Sequence, residues 1–441
     1  MLILRVLLGF LSFYVVYQNY FGVEFTVKGL NYFNLMFFGV LAIVIAKGIR
    51  SEEPAPLKGA FTFLFIMLGW GYVIGLMDDG STWLEDLVEL KTSVFYLLLY
   101  HLYYRAVQDS KTLKVVLAAV LITAFLAQLQ AVRQGLDYGI GAYNETRRAA
   151  GPFGKSFLRA NSAAAFYVIF VPVAAAFMLE LKRGWKIKAA LLFSVGIGIF
   201  GLFVTYSRQG YLILGAILLY LTFRKNLGLA LLLCLALMSY RVWAPDAMIQ
   251  RIEMTQQQED PGRPTPTPKP GAALDDGEGQ KYDESTESRF LIWAGAMEMI
   301  SEHPLGVGLN HFKRNIGIYV PRYRGFDAHN NYIRMAAEAS IFGALAMLVI
   351  IAKLFMLGWR IERVDKSDSS RAMGLALQVA ALGVLLSNVY GSRFFDGDVT
   401  GNVWVLAALG ARYFALRRKQ AQPAQAEQPA VGAVHAMPVR A

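Results

Sequence analysis

Apolar residues in this chain come in solid blocks, not at the periods of 3.6 or 2 that mark half-buried helices and strands. The blocks run roughly 17 to 22 residues, long enough to cross a hydrocarbon layer of about 30 Å as helices. The first spans Leu2 to Tyr20, and others centre near Phe38, Ile66, Leu98, Ile122, Phe170, Val195, Ala216 and Leu233. After a long polar interval three more follow, near Met347, Ala381 and Ala407. Inside lipid each backbone amide must be satisfied within its own segment, so such blocks are helical, and the missing alternation argues against a membrane barrel. The pattern predicts an all-α polytopic membrane protein with about twelve transmembrane helices. The N-terminal block lacks a small-x-small cleavage site and precedes many further spans, so it reads as a retained helix, not a signal peptide.

Orientation follows from basic residues in the short loops. Lys47/Arg50/Lys58, Arg105/Lys111/Lys114, Lys182/Arg183/Lys186/Lys188, Arg224/Lys225, Arg360/Arg363/Lys366/Arg371 and Arg417/Arg418/Lys419 all fall on one side of the predicted layer. The positive-inside rule makes that side cytoplasmic and puts both termini there. Residues 1–243 then hold spans one to nine, 244–331 a large periplasmic loop, 332–418 spans ten to twelve, and 419–441 a disordered cytoplasmic tail. Within the large loop, 255–288 carries Gln-Gln-Gln, Pro-Thr-Pro-Thr-Pro and Asp-Asp-Gly-Glu-Gly and reads as a solvated, disordered excursion. After it, Ser288 to Ile300 reads as an amphipathic helix with Phe290, Trp293, Ala294, Met297 and Ile300 on one face, lying at the membrane surface. Pro304-Leu-Gly-Val-Gly-Leu ends it in a turn.

Composition agrees with that picture. The 441 residues are 56% hydrophobic and only 17% charged, with a net charge of +11. In a membrane protein such an excess holds loops inside and meets anionic headgroups, so it does not point to nucleic acid. One cysteine, Cys234, and five scattered histidines give neither an internal disulfide nor a metal-ligand spacing; the expectation is no metal and no cofactor.

The informative residues are cations on the outer side. Arg133, Arg147, Arg148, Lys155 and Arg159 lie in one loop. Arg208 sits in the tight turn Thr205-Tyr-Ser-Arg-Gln-Gly. Arg289 opens the amphipathic helix, and Lys313, Arg314, Arg322 and Arg324 follow it. Even-numbered spans run inward and present their N-termini outside. The sixth begins at Asn161-Ser162, good N-cap residues, the eighth just after Arg208, and the tenth near His329-Asn330-Asn331. Helix N-termini and arginine forks together suit a polyanion such as a diphosphate. Blander readings stand beside this one. Arg208 as a snorkelling interface residue, Arg289 paired with Glu287, and Arg147 or Arg148 paired with Glu145 all fit the sequence. Arg334 and Glu338, four apart, read as a structural pair. His329 fits either a general base for a hydroxyl or a helix-capping histidine.

Ser288-Arg289-Phe-Leu-Ile-Trp293, His303-Pro304-Leu-Gly306-Val-Gly308-Leu-Asn310 and His329-Asn330-Asn331-Tyr together resemble the signature region of the O-antigen ligase and O-antigen polymerase superfamily. Tyr206-Ser207-Arg208-Gln209-Gly210 is similar to that family's Ser-Arg turn, and Gly151-Pro-Phe with Asn161 to its earlier outer loop. The resemblance implies a GT-C type glycosyltransferase that takes a glycan from undecaprenyl diphosphate on the periplasmic face of the inner membrane, without nucleotide sugar or metal. Lipid A-core would accept in a ligase, another lipid-linked repeat in a polymerase, and a protein in other relatives. Arg208 and Arg289 would bind the diphosphate and His329 would activate the acceptor, with Arg159, Asn161, Asn330 and Asp396 in support. A secondary transporter for a lipid-linked anion is the alternative of another class. It expects charge near the bilayer midplane and symmetric halves, and the sequence has neither.

Overall fold

The computed structural model describes residues 2–21, 31–51, 53–78, 82–140, 143–154, 157–182, 184–253 and 284–426. Most of the excursion expected to be disordered, and the end of the tail, lie outside these. Among the described residues the regular structure is all helical. The helices are α1 (Leu2–Tyr17), α2 (Tyr32–Ala46), α3 (Lys58–Leu76), α4 (Trp83–Ala106), α5 (Ser110–Tyr138), α6 (Ala160–Glu180), α7 (Trp185–Phe203), α8 (Arg208–Lys225) and α9 (Leu227–Met238). Two short helices, α10 (Tyr240–Trp243) and α11 (Asp246–Glu253), precede the excursion. After it come α12 (Glu284–Glu302), α13 (Phe312–Tyr319), α14 (Asn331–Glu362), α15 (Asp368–Ser387) and α16 (Gly397–Ala426). Residues 284–288, expected to belong to the excursion, are the first turn of α12, and α16 carries its helix to Ala426, past the expected start of the tail.

Every apolar block read from the sequence is a helix. Seven of them, α3, α5, α6 with its preceding turn, α7, α14, α15 and α16, are long and apolar enough to cross a membrane. α1, α2 and α9 are apolar but shorter. α4 carries Glu85, Asp86, Glu89 and Lys91 in its first half, and α8 is bounded by Arg208, Arg224 and Lys225.

The bundle is centred on α6, in which nearly every residue from Ala160 to Phe177 is buried. Helices in lipid associate through close packing of small side chains, since lipid supplies no hydrophobic drive between them. Accordingly α6 is rich in alanine, and α15 meets it at Gly383, where a Cβ would come 3.1 Å from the Ile169 Cα. α14 and α15 touch backbone to backbone at Gly358 and Gly374; a Cβ on either would lie 2.5 Å from the other's carbonyl oxygen.

The loops sort into two sets at opposite helix ends. At one end, Arg5 pairs with Asp109 at 3.2 Å, Arg224 with Glu362 at 3.0 Å, Arg371 with Glu180 at 3.2 Å and Arg417 with Asp365 at 3.3 Å. At the other end, Ala149 N–H donates to the Val204 carbonyl at 3.0 Å, Asn331 N–H to Asn388 at 2.9 Å and Leu309 N–H to Gly71 at 2.8 Å. A second, smaller core sits at this end: Ile292, Ala296 and Met299 of α12 against Phe312, Ile316, Tyr323, Ala328 and Ala337. The face of α12 that packs on protein differs from the apolar face read from the sequence. Trp293 and Ile300 do pack, but Phe290 and Met297 are half exposed and Ala294 is exposed. α12 docks on α13 and α14 through Ile292, Ala296 and Met299.

α14 is broken near its start. Ala339 (φ −132°, ψ 26°) and Ser340 (φ 70°, ψ 170°) leave helical geometry, so residues 331–338 form a separate outer segment. The Phe342 N–H turns to the Ser340 Oγ at 3.3 Å, and the carbonyls at the end of the outer segment lose their helical donors. The turn after α12 supplies replacements: Val307 N–H donates to Ala337 at 2.8 Å and Gly308 N–H to Glu338 at 3.1 Å. Gly306 and Gly308 hold φ of 98° and 105°, and a Cβ would come 2.6 Å from the Glu338 oxygen and 2.5 Å from the Gly75 Cα, respectively. Only glycine fits both the conformation and the approach. Gly308→Ala is therefore expected to cost about 1–3 kcal/mol and lower the melting temperature in detergent. Gly39→Ala, whose Cβ would meet nothing within 4 Å, serves as the control; equal melting of both variants would contradict this account of the turn.

Candidate active site

Three polar clusters line the end of the bundle that carries the second core. The first surrounds His329. Asn330 caps the outer segment of α14, its side-chain oxygen accepting from the N–H of Tyr332 at 3.0 Å and Ile333 at 3.1 Å. That cap stands on a fixed loop. The Trp293 indole donates to the Ala328 carbonyl at 2.7 Å, the Trp293 ring packs on Tyr390 at 5.9 Å, and the Tyr332 hydroxyl donates to the Leu385 carbonyl at 2.8 Å. His329 sits between them with φ of 50°, a conformation a non-glycine residue adopts only where its surroundings enforce it. Its N–H donates to the Asp327 carboxylate at 3.0 Å, and its ring Nδ1 lies 3.8 Å from the same carboxylate. Of the two readings of His329, the cap belongs to Asn330.

Electrostatics at this histidine are lopsided. Burial is the main force depressing its proton affinity below the ordinary 6.5. Asp327 opposes that, while Arg289 of α12, Arg393 of the α15–α16 loop and Lys313 of α13 add to it. The outcome is an imidazole that is neutral near pH 7 and able to accept a proton. Burial alone would raise the Asp327 carboxyl; the charge of Arg334 and the hydrogen bond from the His329 N–H help outweigh it and hold it below the usual range. Arg289 thus stands in the field of His329.

Behind this cluster lies a buried network. Arg334 reaches Glu338 at 3.1 Å and Glu89 of α4 at 3.1 Å. His311, wholly buried, lies between Asp78 at 3.1 Å and Asp86 at 3.0 Å, and Asn310 donates to Asp86 at 3.3 Å. Buried charges persist only when paired. Arg334–Glu338 is the structural pair the spacing predicted, with Glu89 as a third member that no local spacing could show.

The second cluster surrounds Arg208, the first residue of α8. The turn before it carries Tyr206 at φ 50°. Arg148, nearly buried, braces that turn by donating to the Thr205 carbonyl at 2.9 Å. Its other edge donates to the Asn161 side-chain oxygen at 2.7 Å. Asn161 is therefore not the cap of α6: the helix begins at Ala160 with Arg159 in the cap position and no side-chain cap. The carbonyl of Asn161 is spent on a cation instead. Arg251 of α11 lies over the Tyr143 ring at 4.6 Å, Tyr143 meets Tyr206 edge to face at 5.3 Å, and Arg208 belongs to the same electrostatic group.

The third cluster joins the first residues of α6 and α16. Arg159 pairs with Asp396 at 3.6 Å and also with Asp398, which accepts from Asn19 at 2.6 Å. Asp396 in turn holds Arg393 at 3.0 Å. Arg159 and Asp396, expected only to support the site, are thus in contact with each other and linked through Arg393 to the His329 field. Arg393, Lys313, Asp327 and Arg251 were not singled out as site residues. Only Lys313 was among the outer cations read from the sequence, and no spacing along the chain ties any of the four to His329 or Arg208.

No curated protein matches this chain. Residues 193–351, from the middle of α7 to about two thirds along α14, match the family model described as O-Antigen ligase. That stretch includes Arg208, Arg289, Asn330 and His329, and leaves Arg159, Asn161, Arg393 and Asp396 outside it. Over that stretch, about a third of the chain, the protein is similar to the O-Antigen ligase family.

Proposed function

We propose that this protein is a metal-independent, inverting glycan ligase of the inner membrane, with both termini cytoplasmic. It would move a glycan from undecaprenyl diphosphate to lipid A-core on the periplasmic face. The observation that carries the reading is a neutral, half-exposed histidine held beside a carboxylate and within the field of three cations, inside the matched family domain.

The acceptor hydroxyl attacks the anomeric carbon, and a new carbon–oxygen bond forms as the bond to the diphosphate oxygen breaks. The electron pair leaves with the diphosphate, and the proton passes to the His329 ring nitrogen that faces away from Asp327. Asp327 then steadies the imidazolium. Arg289 and Arg208 neutralise the charge developing on the leaving group, a task fixed cations perform without reorganising. The buried network and Asn330 hold the His329 loop rigid, Arg159 and Asp396 fix Arg393 near it, and Asn161 fixes Arg148 beside the Arg208 turn. The same residues would serve a polymerase or a protein-glycan ligase, which differ in acceptor alone.

Purified protein in detergent, supplied with glycan-loaded undecaprenyl diphosphate and lipid A-core, is expected to form glycan-capped lipid in the presence of EDTA. His329→Ala should lower the rate by about 10²–10⁴ and Arg289→Ala by about 10²–10³. Longer lipid-linked chains in place of capped lipid would reassign the protein as a polymerase, and transfer to no acceptor by a folded sample would return it to transport.

The pH profile gives a separate check. A base with depressed proton affinity stays neutral to lower pH, so the acid limb of kcat/KM is expected below pH 6.5 and is lost in His329→Ala. An acid limb above 6.5 would contradict the assignment.

A further inference from the structure

Arg393 is unaccounted for by the reaction as drawn. It lies in the α15–α16 loop, outside the matched domain, yet stands in the field of His329. Among the described residues its guanidinium is held on one side: Nη1 meets Asp396 at 3.0 Å, and the residue's own N–H donates to the Asn388 side chain at 3.0 Å. Asn388 in turn accepts through its carbonyl from Asn331 N–H at 2.9 Å, so the Arg393 backbone and the His329 loop share one anchor. Asp396 is itself fixed by Arg159 at 3.6 Å, and Arg159 by buried Asp398. The side chain is about one-fifth exposed, so it opens on solvent at this rim while its base is rigid. An arginine gripped at one nitrogen and anchored behind is built to present its remaining edge to an anion, with little ordering cost on binding.

We infer that Arg393, set by Asp396 and Arg159, is an anion-binding residue of the His329 centre that contacts a phosphate of the substrates. The inference rests on the proposed glycan transfer. The phosphate belongs either to the donor diphosphate or to the acceptor, and the two sources are separable by kinetics. Besides binding, Arg393 joins Arg289 and Lys313 in keeping His329 neutral against the pull of Asp327.

The test uses full-length protein with Arg393→Gln, Arg393→Lys and Asp396→Asn. Arg393→Gln is expected to raise one KM at least tenfold, the donor's or the acceptor's according to the source, and to move the acid limb of kcat/KM upward. Arg393→Lys should keep the limb near its wild-type position while binding more weakly, and Asp396→Asn should fall between. Unchanged KM values with an unmoved limb, whether kcat falls or not, would overturn the inference and leave Arg393 a structural residue. If the wild-type protein transfers nothing, the functional reading fails by itself. The His329 ring titration, followed by NMR on histidine-labelled protein, then decides Arg393 alone: an upward shift in Arg393→Gln supports its place at the centre, and no shift removes it.

Discussion

The break in α14 is the constraint on which the rest of this end of the molecule depends. A helix interrupted at the edge of a membrane leaves carbonyls that lipid cannot satisfy. Here the loss at Ala337 and Glu338 is made good by the N–H groups of Val307 and Gly308. That requirement fixes the glycines of the preceding turn, ties the turn to α3 through Leu309 and Gly71, and frees residues 331–338 from the course of the spanning helix. The outer segment can then carry His329 at its entrance, packed on α12 and α13 instead of buried among the spans.

The same break explains why so much charge is buried nearby. The outer segment brings Arg334 and Glu338 under the surface, and neither is tolerable alone. Glu89 from α4, and the Asp78–His311–Asp86 arrangement beside it, complete a network that couples α3, α4, the glycine turn and α14. Above this network the balance reverses. Arg289, Lys313 and Arg393 surround His329 with Asp327 as the near counter-charge, and Arg148, Arg208 and Arg251 gather at Tyr143. An excess of fixed cations over a neutral base suits a reaction in which a diphosphate departs and a proton is taken up.

The bundle was largely legible in the chain because lipid imposes a coarse rule, and each apolar block became a helix. What failed to show depended on partners distant in sequence. The inner stripe of α12, Ile292, Ala296 and Met299, did not show, since periodicity cannot mark which helix face meets a second protein layer. Asn161 looked like an N-cap, but Arg148 takes its oxygen. The break at Ala339–Ser340 carries neither glycine nor proline, so nothing local announces it; only the paired glycines 33 and 31 residues earlier, at Gly306 and Gly308, hint that backbone must approach closely there. Arg208, Arg289 and His329 were legible as motif residues. Their setting was not, because Arg393 of the α15–α16 loop and Arg251 of α11 have no fixed spacing to them.

The proposed donor, a diphosphate-linked glycan, would be held where Arg208, Arg289 and His329 lie. Photocrosslinking with an undecaprenyl-diphosphate glycan analogue bearing a photoreactive group beside the phosphates, followed by peptide mapping, tests this most directly. Label on peptides containing Arg208 and Arg289, reduced when both are replaced by alanine, is the predicted result. Label concentrated instead at the opposite helix ends, around Arg224 and Glu362, would contradict it.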